Sequence, residues 1–497
     1  MRRILLRTFG AAVLVLALAF AVLVANMWWD SRLPSTYSAM EMGEPDFGGG
    51  TVPAGFPADG GHPDPNAGTS LASLTGQGGA PDARFTLTAR SAAVQLPSGR
   101  TVNALTFDGT VPGPELRVRE GDLVEVTLVN EDIAGGVSIH WHGVDVPNAE
   151  DGVAGVTQDA VPPGGRHVYR FRPDRAGTFW YHTHQVSSKE VRRGLFGVLV
   201  VEPREPAPPG ALDLALASHD LNGAATLAGS DRLEHRTVAP GTPVRLRLVN
   251  TDNTLRRYTV DGTPFRVLAI DGSDLNGPTP LEHTTLELAA GGRYDVGFTM
   301  PSSPVRLSLV STKAALVLSP DGTGDVTPAA PGPDFDPLTY GTPAPTPFGA
   351  GSHFDRRFRF SIGRKPGFYD GRPGLQWTIN GGIFPDVPMF VVEEGDAVEV
   401  TIENHSSSVH PMHLHGHRML VLSRDGVAST GSPWWTDTLD VDPGDTYKLA
   451  FRADNPGIWM DHCHNLRHAA AGLTMHLAYA GVTTPYRVGG TAHNHPE

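Results

Sequence analysis

Histidine is concentrated in four short segments of this chain, and the only cysteine lies in one of them. The segments read His-Trp-His-Gly over residues 140–143, His-Thr-His over 182–184, His-Pro-Met-His-Leu-His over 410–415 and His-Cys-His-Asn-Leu-Arg-His over 462–468. Together they hold ten of the 21 histidines. Imidazole nitrogens and cysteine thiolates are common ligands of transition metals, so this concentration indicates metal chemistry.

Four histidine pairs within these segments have the spacing His-x-His. In a β-strand, residues i and i+2 point to the same face and lie about 7 Å apart. Four such strands would direct eight imidazoles towards one region, which exceeds the needs of one ion and suits a cluster of two or three. The eight histidines are His140, His142, His182, His184, His413, His415, His462 and His464.

Cys463 lies between two of these histidines, so the same alternation turns its thiol to the opposite face of the strand. There it can meet His410 and His468, and two histidines with one thiolate form the trigonal ligand set of a blue-copper electron-transfer centre. Position 473 would supply the axial ligand, but Leu473 cannot bind a metal. The backbone at Cys463 would join this centre to the histidine cluster, so one-electron oxidation at one centre can feed multi-electron reduction at the other.

Simpler interpretations of the same residues exist. An isolated His-x-His pair is more often structural or solvent-exposed, and His-Cys-His alone could form a zinc site. Zinc rarely recruits so many ligands, however, and the four segments fall at matching places in an internal repeat. The sequence therefore favours a multi-ion copper site.

The elements that carry these residues are predicted to be β-strands. Runs such as residues 123–129 and 397–402 alternate apolar and polar side chains, as half-buried strands do. Two short sequence patterns occur in the same order three times. The first is a glycine-containing turn followed by a strand that ends in asparagine, and the second is another glycine turn followed by a strand that ends in phenylalanine. The strand ends are Asn130, Asn250, Asn404, Phe171, Phe298 and Phe451. A repeat of this kind predicts three related β-domains.

We place the three domains at residues 82–203, 208–327 and 352–497, with a proline-rich linker over residues 328–351. All four histidine segments fall in the first and third domains, and the second domain carries none of them. The expected fold class is all-β, built as sandwiches or barrels.

The N-terminal residues predict export from the cytoplasm. Residues 1–30 begin with arginines and continue as an apolar run that ends at Trp28 and Trp29. A cleaved signal peptide and a retained membrane anchor over residues 4–29 both fit, with the tryptophans favouring the anchor, and either the Sec or the twin-arginine route would serve. Residues 31–81 are rich in Gly, Pro, Ser and Asp and are predicted to be a disordered tether.

Composition narrows the function classes further. The 497 residues correspond to about three domains, and 40% of them are hydrophobic, as expected for a folded body. The net charge of −14 argues against nucleic-acid binding, which needs a basic surface. A single cysteine excludes an intrachain disulfide and a CxxC zinc ribbon.

In this order, the four segments resemble the signature of the laccase-like, three-domain multicopper oxidases: HWHG, HxH, HxxHxH and HCHxxxHxxxxX. The last of these reads HCHNLRHAAAGL over residues 462–473. The resemblance covers about residues 82–497. It implies three consecutive cupredoxin domains, which are Greek-key β-sandwiches, with copper in the third and between the first and third.

The resemblance implies four copper ions and a role for each ligand. Type 1 copper would be held by His410, Cys463 and His468, with Leu473 in the axial position. Type 2 copper would be held by His140 and His413. The type 3 pair would be held by His142, His182, His184, His415, His462 and His464.

Two further positions follow from the resemblance. Asp151 matches an acidic residue that follows HWHG in the family and helps to deliver protons, although Asp-Gly is also an ordinary turn pair. Cys463 and Asp151 are thus the expected catalytic residues. Some bacterial relatives carry glutamate directly after the last type 1 histidine, where this chain has Ala469. Another acid or a chain of waters must therefore deliver the proton that this glutamate would supply. Leu473 in place of an axial methionine should raise the reduction potential.

What the resemblance implies is an exported, monomeric enzyme that takes four single electrons from a reducing substrate and reduces O2 to water. Phenols and aromatic amines are the expected substrates, and oxidation of cuprous or ferrous ions is the alternative. Ten methionines without a Met-rich insert favour phenols. Copper nitrite reductases usually have two such domains and lack the eight-histidine cluster, and copper storage alone would not need a cysteine between two cluster ligands.

Overall fold

The computed structural model describes residues 2–57, 61–64, 67–76, 78–205, 209–349 and 351–497. After an N-terminal helix, α1 (Arg2–Asp30), the chain forms mainly β-strands, and these build three successive two-sheet sandwiches. The predicted fold class, three consecutive cupredoxin-like domains after an N-terminal hydrophobic helix, is confirmed. The three short strands that follow α1 are β1 (Thr36–Tyr37), β2 (Glu44–Asp46) and β3 (Thr69–Ser70).

Helix α1 projects from the body of the molecule. Its segment Thr8–Asp30 has a mean hydropathy of 2.6 and is long and apolar enough to cross a membrane, a property that a signal sequence shares. Most large apolar side chains of residues 8–30 are exposed, Trp29 among them. The choice between a cleaved signal and a retained anchor therefore stays a prediction.

The first domain consists of two four-stranded sheets and a short helix, α2 (Ser187–Glu190). Its strands are β4 (Ala83–Gln95), β5 (Thr101–Phe107), β6 (Leu116–Arg119), β7 (Val124–Asn130), β8 (His140–His142), β9 (Arg166–Phe171), β10 (Gly177–His182) and β11 (Phe196–Glu202). The strand orders are β5-β4-β7-β9 and β6-β11-β10-β8. Every second residue of β7 is buried, as its alternating sequence predicts.

The second domain has a six-stranded and a five-stranded sheet, with orders β13-β12-β15-β20-β17-β18 and β14-β22-β21-β16-β19. Its strands are β12 (Leu212–Leu221), β13 (Ala224–Leu227), β14 (Leu233–Thr237), β15 (Pro243–Asn250), β16 (Arg256–Asp261), β17 (Arg266–Ile270), β18 (Ser273–Asp274), β19 (Leu286–Leu288), β20 (Arg293–Thr299), β21 (Val305–Leu309) and β22 (Ala315–Ser319). In the proline-rich segment that follows, Phe335 and Tyr340 join the buried apolar core.

The third domain carries helix α3 (Leu466–Ala469) and the longest strand, β23. Its strands are β23 (Arg356–Tyr369), β24 (Arg372–Ile379), β25 (Pro388–Val392), β26 (Ala397–Asn404), β27 (His410–Leu414), β28 (Met419–Arg424), β29 (Val427–Ala428), β30 (Trp435–Thr436), β31 (Thr438–Val441), β32 (Thr446–Arg452), β33 (Ile458–Cys463), β34 (Thr474–Tyr479), β35 (Val482–Thr483) and β36 (Val488–Gly489). The sheet orders are β2-β25-β34-β33-β27-β31 and β24-β23-β26-β32-β28-β29, with β30 paired to β28.

The described part of residues 31–81 packs on the first and third domains, so the prediction of a disordered tether is wrong there. Strand β2 extends a sheet of that domain beside β25, and β1 and β3 pair with β36 and β35. Ala39 and Leu71 are buried. A tether-like composition hides these few apolar anchors, and edge pairing uses backbone groups that composition does not report. Residues 58–60, 65–66 and 77 of the predicted tether lie outside the described residues.

The predicted domain limits, 82–203, 208–327 and 352–497 with the linker 328–351, stay predictions. Residues 208 and 350 of those intervals lie outside the described residues. Short 3-10 turns complete the structure at Ala39–Glu41, Leu71–Ser73, Asn148–Glu150, Val191–Arg193 and Gly490–Ala492.

A buried carboxyl group at the end of α2 makes stability depend on pH. Glu190 is 7% exposed, and its Oε2 has no hydrogen-bond partner among the described residues. Burial raises its pKa from 4.5 to about 8, although the Arg193 guanidinium acts in the opposite direction. The unfolded chain releases this proton at lower pH than the folded protein does, so the folded state loses stability as pH rises from about 4 to about 8.

We therefore expect Glu190→Gln to raise the free energy of unfolding by on the order of 3 kcal/mol at about pH 9, with little effect at about pH 4. Urea unfolding of both proteins across this range checks the prediction. Glu131→Gln, at an exposed position of the same domain, is the control. A stability difference that does not grow with pH would contradict the burial argument.

Candidate metal centres

Two neighbouring strands of the third domain carry four of the eleven candidate ligands, namely His410, His413, His462 and Cys463. Strands β27 and β33 are antiparallel, with His413 opposite His462 and Met412 opposite Cys463. Opposed residues of an antiparallel pair share a face, and the faces alternate along each strand. His413 and His462 therefore point to one side of the sheet, while Cys463 and His410 point to the other. Strand periodicity thus separates the ligands into two sets.

The first domain supplies the facing ligands. Strands β8 and β10 pair so that His140 lies opposite His182. The rings of His140 and His413, from different domains, have centroids 5.7 Å apart, and those of His142 and His413 are stacked at 3.8 Å. The larger histidine set therefore lies at the contact between the first and third domains.

The smaller set consists of one thiol and two imidazoles. Cys463 Sγ lies 3.6 Å from His410 Nδ1 and 3.7 Å from His468 Nδ1, and the two nitrogens are 3.3 Å apart. Three atoms at these separations can share one ion, because metal–nitrogen and metal–sulfur bonds are about 2.0–2.3 Å long. The group is buried apart from part of His468.

The surroundings of this set leave the Nδ1 atoms free for an ion. His410 Nε2 lies 2.8 Å from Ser406 Oγ and His468 Nε2 lies 3.3 Å from the Asn465 amide, so each ring is held through its other nitrogen. Burial lowers the pKa of His410 to about 3 and of His468 to about 4, which keeps both imidazoles neutral. Burial raises the pKa of the Cys463 thiol above its usual range, so the thiolate needs a cation beside it.

Leu473 reaches the same region through the loop that follows Cys463. Its carbonyl oxygen accepts a hydrogen bond of 3.1 Å from the Cys463 N–H, and its own N–H donates to the carbonyl of His468. The Leu473 side chain is fully buried. An aliphatic side chain here adds no ligand to the three donors.

The other eight histidines form the larger set, and each is at most 1% exposed. The Nε2 atoms of His415 and His462 are 3.1 Å apart, and those of His140 and His413 are 3.4 Å apart. His184 joins His415 and His462 in a group whose ligand atoms lie within 4.8 Å of one another. The remaining three rings, with centroids 4.9 to 5.8 Å apart, are those of His142, His182 and His464.

The protonation states and free nitrogens of this set fit metal ions. Burial lowers the pKa of each of seven histidines far below the usual value, which leaves them as neutral ligands; they are His142, His182, His184, His413, His415, His462 and His464. Among the described residues no hydrogen-bond partner exists for His142 Nδ1, His182 Nε2 or either nitrogen of His184 and His464. Buried polar atoms without partners are costly, and bound ions would supply the missing partners.

Asp151 holds two of these rings by their outer nitrogens. Its backbone carbonyl oxygen accepts from His140 Nδ1 at 3.0 Å, and its carboxylate oxygens lie 3.0 Å from the same nitrogen and 3.0 Å from His415 Nδ1. Asp151 is 1% exposed and directly follows the 3-10 turn Asn148–Glu150. An Nδ1–H that donates to the carbonyl or carboxylate oxygens of Asp151 fixes the tautomer and leaves Nε2 free to face the cluster.

A second buried carboxylate supports the opposite side of the cluster. The carbonyl oxygen of Asp437 accepts from His413 Nδ1 at 2.8 Å, and its carboxylate lies 3.3 Å from His142 Nε2. Thr438 Oγ1 lies 2.9 Å from the same His142 nitrogen and donates to Asp437 at 2.8 Å. Arg293 of the second domain, fully buried, donates to both carboxylate oxygens of Asp437 at 2.6 Å. The domain without candidate ligands therefore helps to position them.

The contacts of Arg293 and Asp437 explain why the first histidine segment ends in a glycine. Gly143 has φ +83°, a backbone conformation that favours glycine. A Cβ atom at this position would overlap the Arg293 guanidinium and lie 2.6 Å from Asp437 Oδ2. Any larger residue would displace the Arg293–Asp437 ion pair.

The structure brings together all ten histidines and the cysteine that the sequence singles out, and places Asp151 in contact with two of them. Sequence reasoning missed Arg293 and Asp437, since neither belongs to a motif. It also missed Glu497, whose carboxylate accepts from Ser187 Oγ at 3.1 Å and lies 3.5 Å from His462 Nδ1. The sequence has Ala469 where some relatives have a glutamate, and only the folded chain shows that the Glu497 carboxylate lies beside the candidate ligand His462.

Comparison with known proteins gives a consistent result. Two family models, each described as multicopper oxidase, match residues 88–206 and 363–481. The multicopper oxidase MmcO of Mycobacterium tuberculosis is 28% identical over 79% of this chain and 86% of its own length. Laccase-1 of Botryotinia fuckeliana is 27% identical over 75% of this chain and 77% of its own length.

Solved structures agree with the sequence matches. A multi-copper oxidase from Pseudomonas thermotolerans superposes with a TM-score of 0.65 at 28% identity, covering 81% of this chain and all of that protein. The matched segments 88–206 and 363–481 between them contain every candidate ligand.

Proposed function

The chain belongs to the multicopper oxidases, enzymes that pass electrons from a reducing substrate to O2, and on this premise we propose that it oxidises phenols and aromatic amines in the manner of a laccase. Each of four phenols would lose one electron and one proton, and O2 would take up four electrons and four protons to give two waters. One observation carries the proposal. The thiol of Cys463 meets two imidazoles, while the residues on either side of it belong to the eight-histidine cluster.

We assign four copper ions to the two sets of ligands. Type 1 copper would be held by His410, Cys463 and His468, with Leu473 beside them adding no ligand, and type 2 copper would be held by His140 and His413. The type 3 pair would take His142, His182 and His464 at one ion and His184, His415 and His462 at the other. When bound, the ions supply one-electron redox chemistry and the binding and reduction of O2.

The chain's own residues perform three tasks in this scheme. The peptide backbone joins Cys463 directly to His462 and His464, giving a short covalent connection between the two ligand sets. The imidazoles of the cluster are at most 1% exposed and are therefore shielded from bulk solvent. Asp151 keeps a proton on the outer nitrogens of His140 and His415, and we assign it the role in proton delivery that the sequence predicted.

The choice between organic and metal-ion substrates depends on which residues are available to dock the electron donor. Oxidation of cuprous or ferrous ions remains the competing function, and it would require acidic or methionine-rich docking residues. The sequence contains no methionine-rich insert, which supports organic substrates. We also propose that the body is monomeric and lies outside the cytoplasmic membrane, anchored through residues 4–29 if the leader is retained.

Oxygen uptake by the copper-loaded full chain tests the proposed function. With 2,6-dimethoxyphenol, we expect uptake of about one O2 per four phenols and no accumulation of hydrogen peroxide. Cuprous and ferrous ions are offered in parallel under the same conditions. Rapid uptake with the metal ions alone would favour the metallo-oxidase, and no uptake with any donor by the blue, fully loaded protein would contradict the oxidase assignment.

Asp151→Asn tests the support that this carboxylate gives to the cluster. The backbone carbonyl of residue 151 still accepts from His140, but the amide removes the negative charge beside both Nδ1–H groups and leaves one oxygen in place of two for His415. We expect kcat for oxygen uptake to fall by about 10–100-fold, with the absorption of the type 1 centre unchanged. Copper content and the visible spectrum are measured together with kcat. Asp159→Asn in the same domain is the control, and equal activity in the two variants would contradict the role of Asp151.

A further inference from the structure

A basic cleft lies where the three domains meet. It has a volume of about 810 Å³ and is lined by α2 and the following turn in the first domain, by two loops of the second domain, and by Asn465 and Arg467 of the third. Five of its side chains are basic and two are acidic, although the whole chain carries a net charge of −14. The cleft is therefore a local positive region on an acidic protein.

Most of this positive charge is not neutralised. Asp252 forms an ion pair with Arg256, and Asp220 accepts a hydrogen bond from the Gly223 N–H. Four exposed basic residues of the cleft form no salt bridge within the described part of the chain, and they are Lys189, Arg192, Arg193 and Arg467. Guanidinium groups in such a setting favour planar anions such as carboxylates, which they can bind through two hydrogen bonds.

The cleft adjoins the smaller ligand set directly. Asn465 lines the cleft, and its amide lies 3.3 Å from His468 Nε2, the outer nitrogen of a type 1 ligand. The Oδ1 atom of Asn465 has no hydrogen-bond partner among the described residues. Asn253, on the opposite wall, accepts from the Leu466 N–H at 3.3 Å. A molecule bound in the cleft would thus be one side chain away from a type 1 histidine.

We infer that this cleft binds the electron donor and selects donors that carry a carboxylate, so that the preferred substrates are anionic phenols rather than neutral phenols or metal cations. This inference rests on the proposed function for the electron transfer, but the binding of an anion does not. The chemistry is unchanged: each phenol loses one electron and one proton, and its carboxylate stays intact. Positive charge beside the donor site would also repel cuprous and ferrous ions.

A matched pair of phenols tests the charge preference. Syringate and methyl syringate share the same ring and the same phenol group, and only syringate carries a negative charge. We expect the ratio of kcat/KM for syringate to that for methyl syringate to be about tenfold at low ionic strength and to fall towards one at high salt. In Arg467→Gln the ratio should fall by about threefold, and in the double variant Arg193→Gln/Arg467→Gln by about tenfold.

The control is Arg236→Gln, which removes the same charge from an exposed arginine outside the cleft. Its ratio should equal that of the wild type. A ratio near one in the wild type, a ratio that does not respond to salt, or equal ratios in the Arg467 and Arg236 variants would overturn the inference.

Binding of 3,4,5-trimethoxybenzoate, which has no phenol hydrogen and is not oxidised, separates this inference from the proposed function. Calorimetric titration of the full chain should give a dissociation constant that rises about tenfold in the double variant and is unchanged in Arg236→Gln. Such binding without oxidation of any phenol would support the cleft and contradict the laccase function. Phenol oxidation with no anion binding would contradict the cleft alone.

Discussion

Replacing Cys463 by serine is expected to lower oxygen uptake with 2,6-dimethoxyphenol by more than about 10³-fold. The thiol is the one soft donor in the smaller ligand set, and it lies 3.6 and 3.7 Å from the two imidazole nitrogens. A serine hydroxyl is a hard, neutral donor, and without the thiolate the set loses its preference for copper. The covalent connection to His462 and His464 would then have no copper ion at its start from which to carry electrons.

The same variant distinguishes the two ligand sets. Because the eight-histidine cluster lies on the other face of β33, Cys463→Ser should lose about one copper ion per chain together with the blue charge-transfer band, and should retain the others. Copper analysis, the visible spectrum and oxygen uptake are measured on the same preparation. Cys463→Ala provides a second variant without a hydroxyl, and both variants should behave alike.

The outcomes separate the possible explanations. Loss of all copper would show that the two sets do not form independently. Uptake near the wild-type rate with one copper ion fewer would contradict the entry of electrons at Cys463. If thermal unfolding shows that Cys463→Ser is not folded, Cys463→Ala decides, since alanine leaves no unpaired polar group in this fully buried position.

The division of the ligands into two sets could be predicted from the sequence because strand geometry is regular. An alternation of two residues is sufficient to place Cys463 opposite its neighbours, and β33 has that geometry. The repeat predicted the three domains for a similar reason, since each copy repeats the same turn-and-strand pattern. Both inferences depend on local periodicity, which a sequence displays directly.

The residues that orient the ligands could not be predicted in this way. Arg293 and Asp437 are 144 positions apart and belong to different domains, and no spacing rule relates them. Gly291, in the second domain, lies against the cluster, because a Cβ there would be 2.9 Å from the His464 ring and 3.0 Å from that of His142. The second domain has no candidate ligands, so its sequence gives no sign that it forms part of the wall.

The prediction that residues 31–81 form a disordered tether was wrong for a related reason. Its composition resembles that of a disordered segment, but β2 adds a strand to a sheet of the third domain. A strand of three residues contributes little that composition can detect. Its stability comes from the partner strand, which lies more than 300 residues later in the chain.

Replacing Arg293 by methionine is expected to be the most damaging change outside the ligands themselves. Arg293 is fully buried, and its guanidinium donates to Asp437 in the third domain and to the carbonyl of Thr178 in the first. Its backbone N–H donates to Asp271 at 2.8 Å. Removing the cation would leave Asp437 as a buried charge without its partner, which costs about 3–5 kcal/mol.

The change should also affect the metal centre. The Asp437 carbonyl oxygen accepts from His413, and its carboxylate contacts His142, so a shift of Asp437 moves ligands of both the proposed type 2 and the proposed type 3 ions. We expect Arg293→Met to lower copper affinity or oxygen uptake by about 10–100-fold. Copper content after dialysis against a chelator measures the loss of copper affinity. Denaturant unfolding of the copper-free chain measures the loss of stability separately.

Two further variants make this prediction specific to the ion pair. Arg306 of the same domain pairs with the half-exposed Asp325, and Arg306→Met should cost less than about 1 kcal/mol. In Arg293→Met/Asp437→Asn the buried charge is removed together with its partner, so part of the lost stability should return. A double variant as unstable as Arg293→Met would mean that packing of the arginine side chain, and not the ion pair, joins the three domains. Recovery of stability without recovery of copper binding would instead assign Asp437 to the orientation of His142, because only its carboxylate has changed.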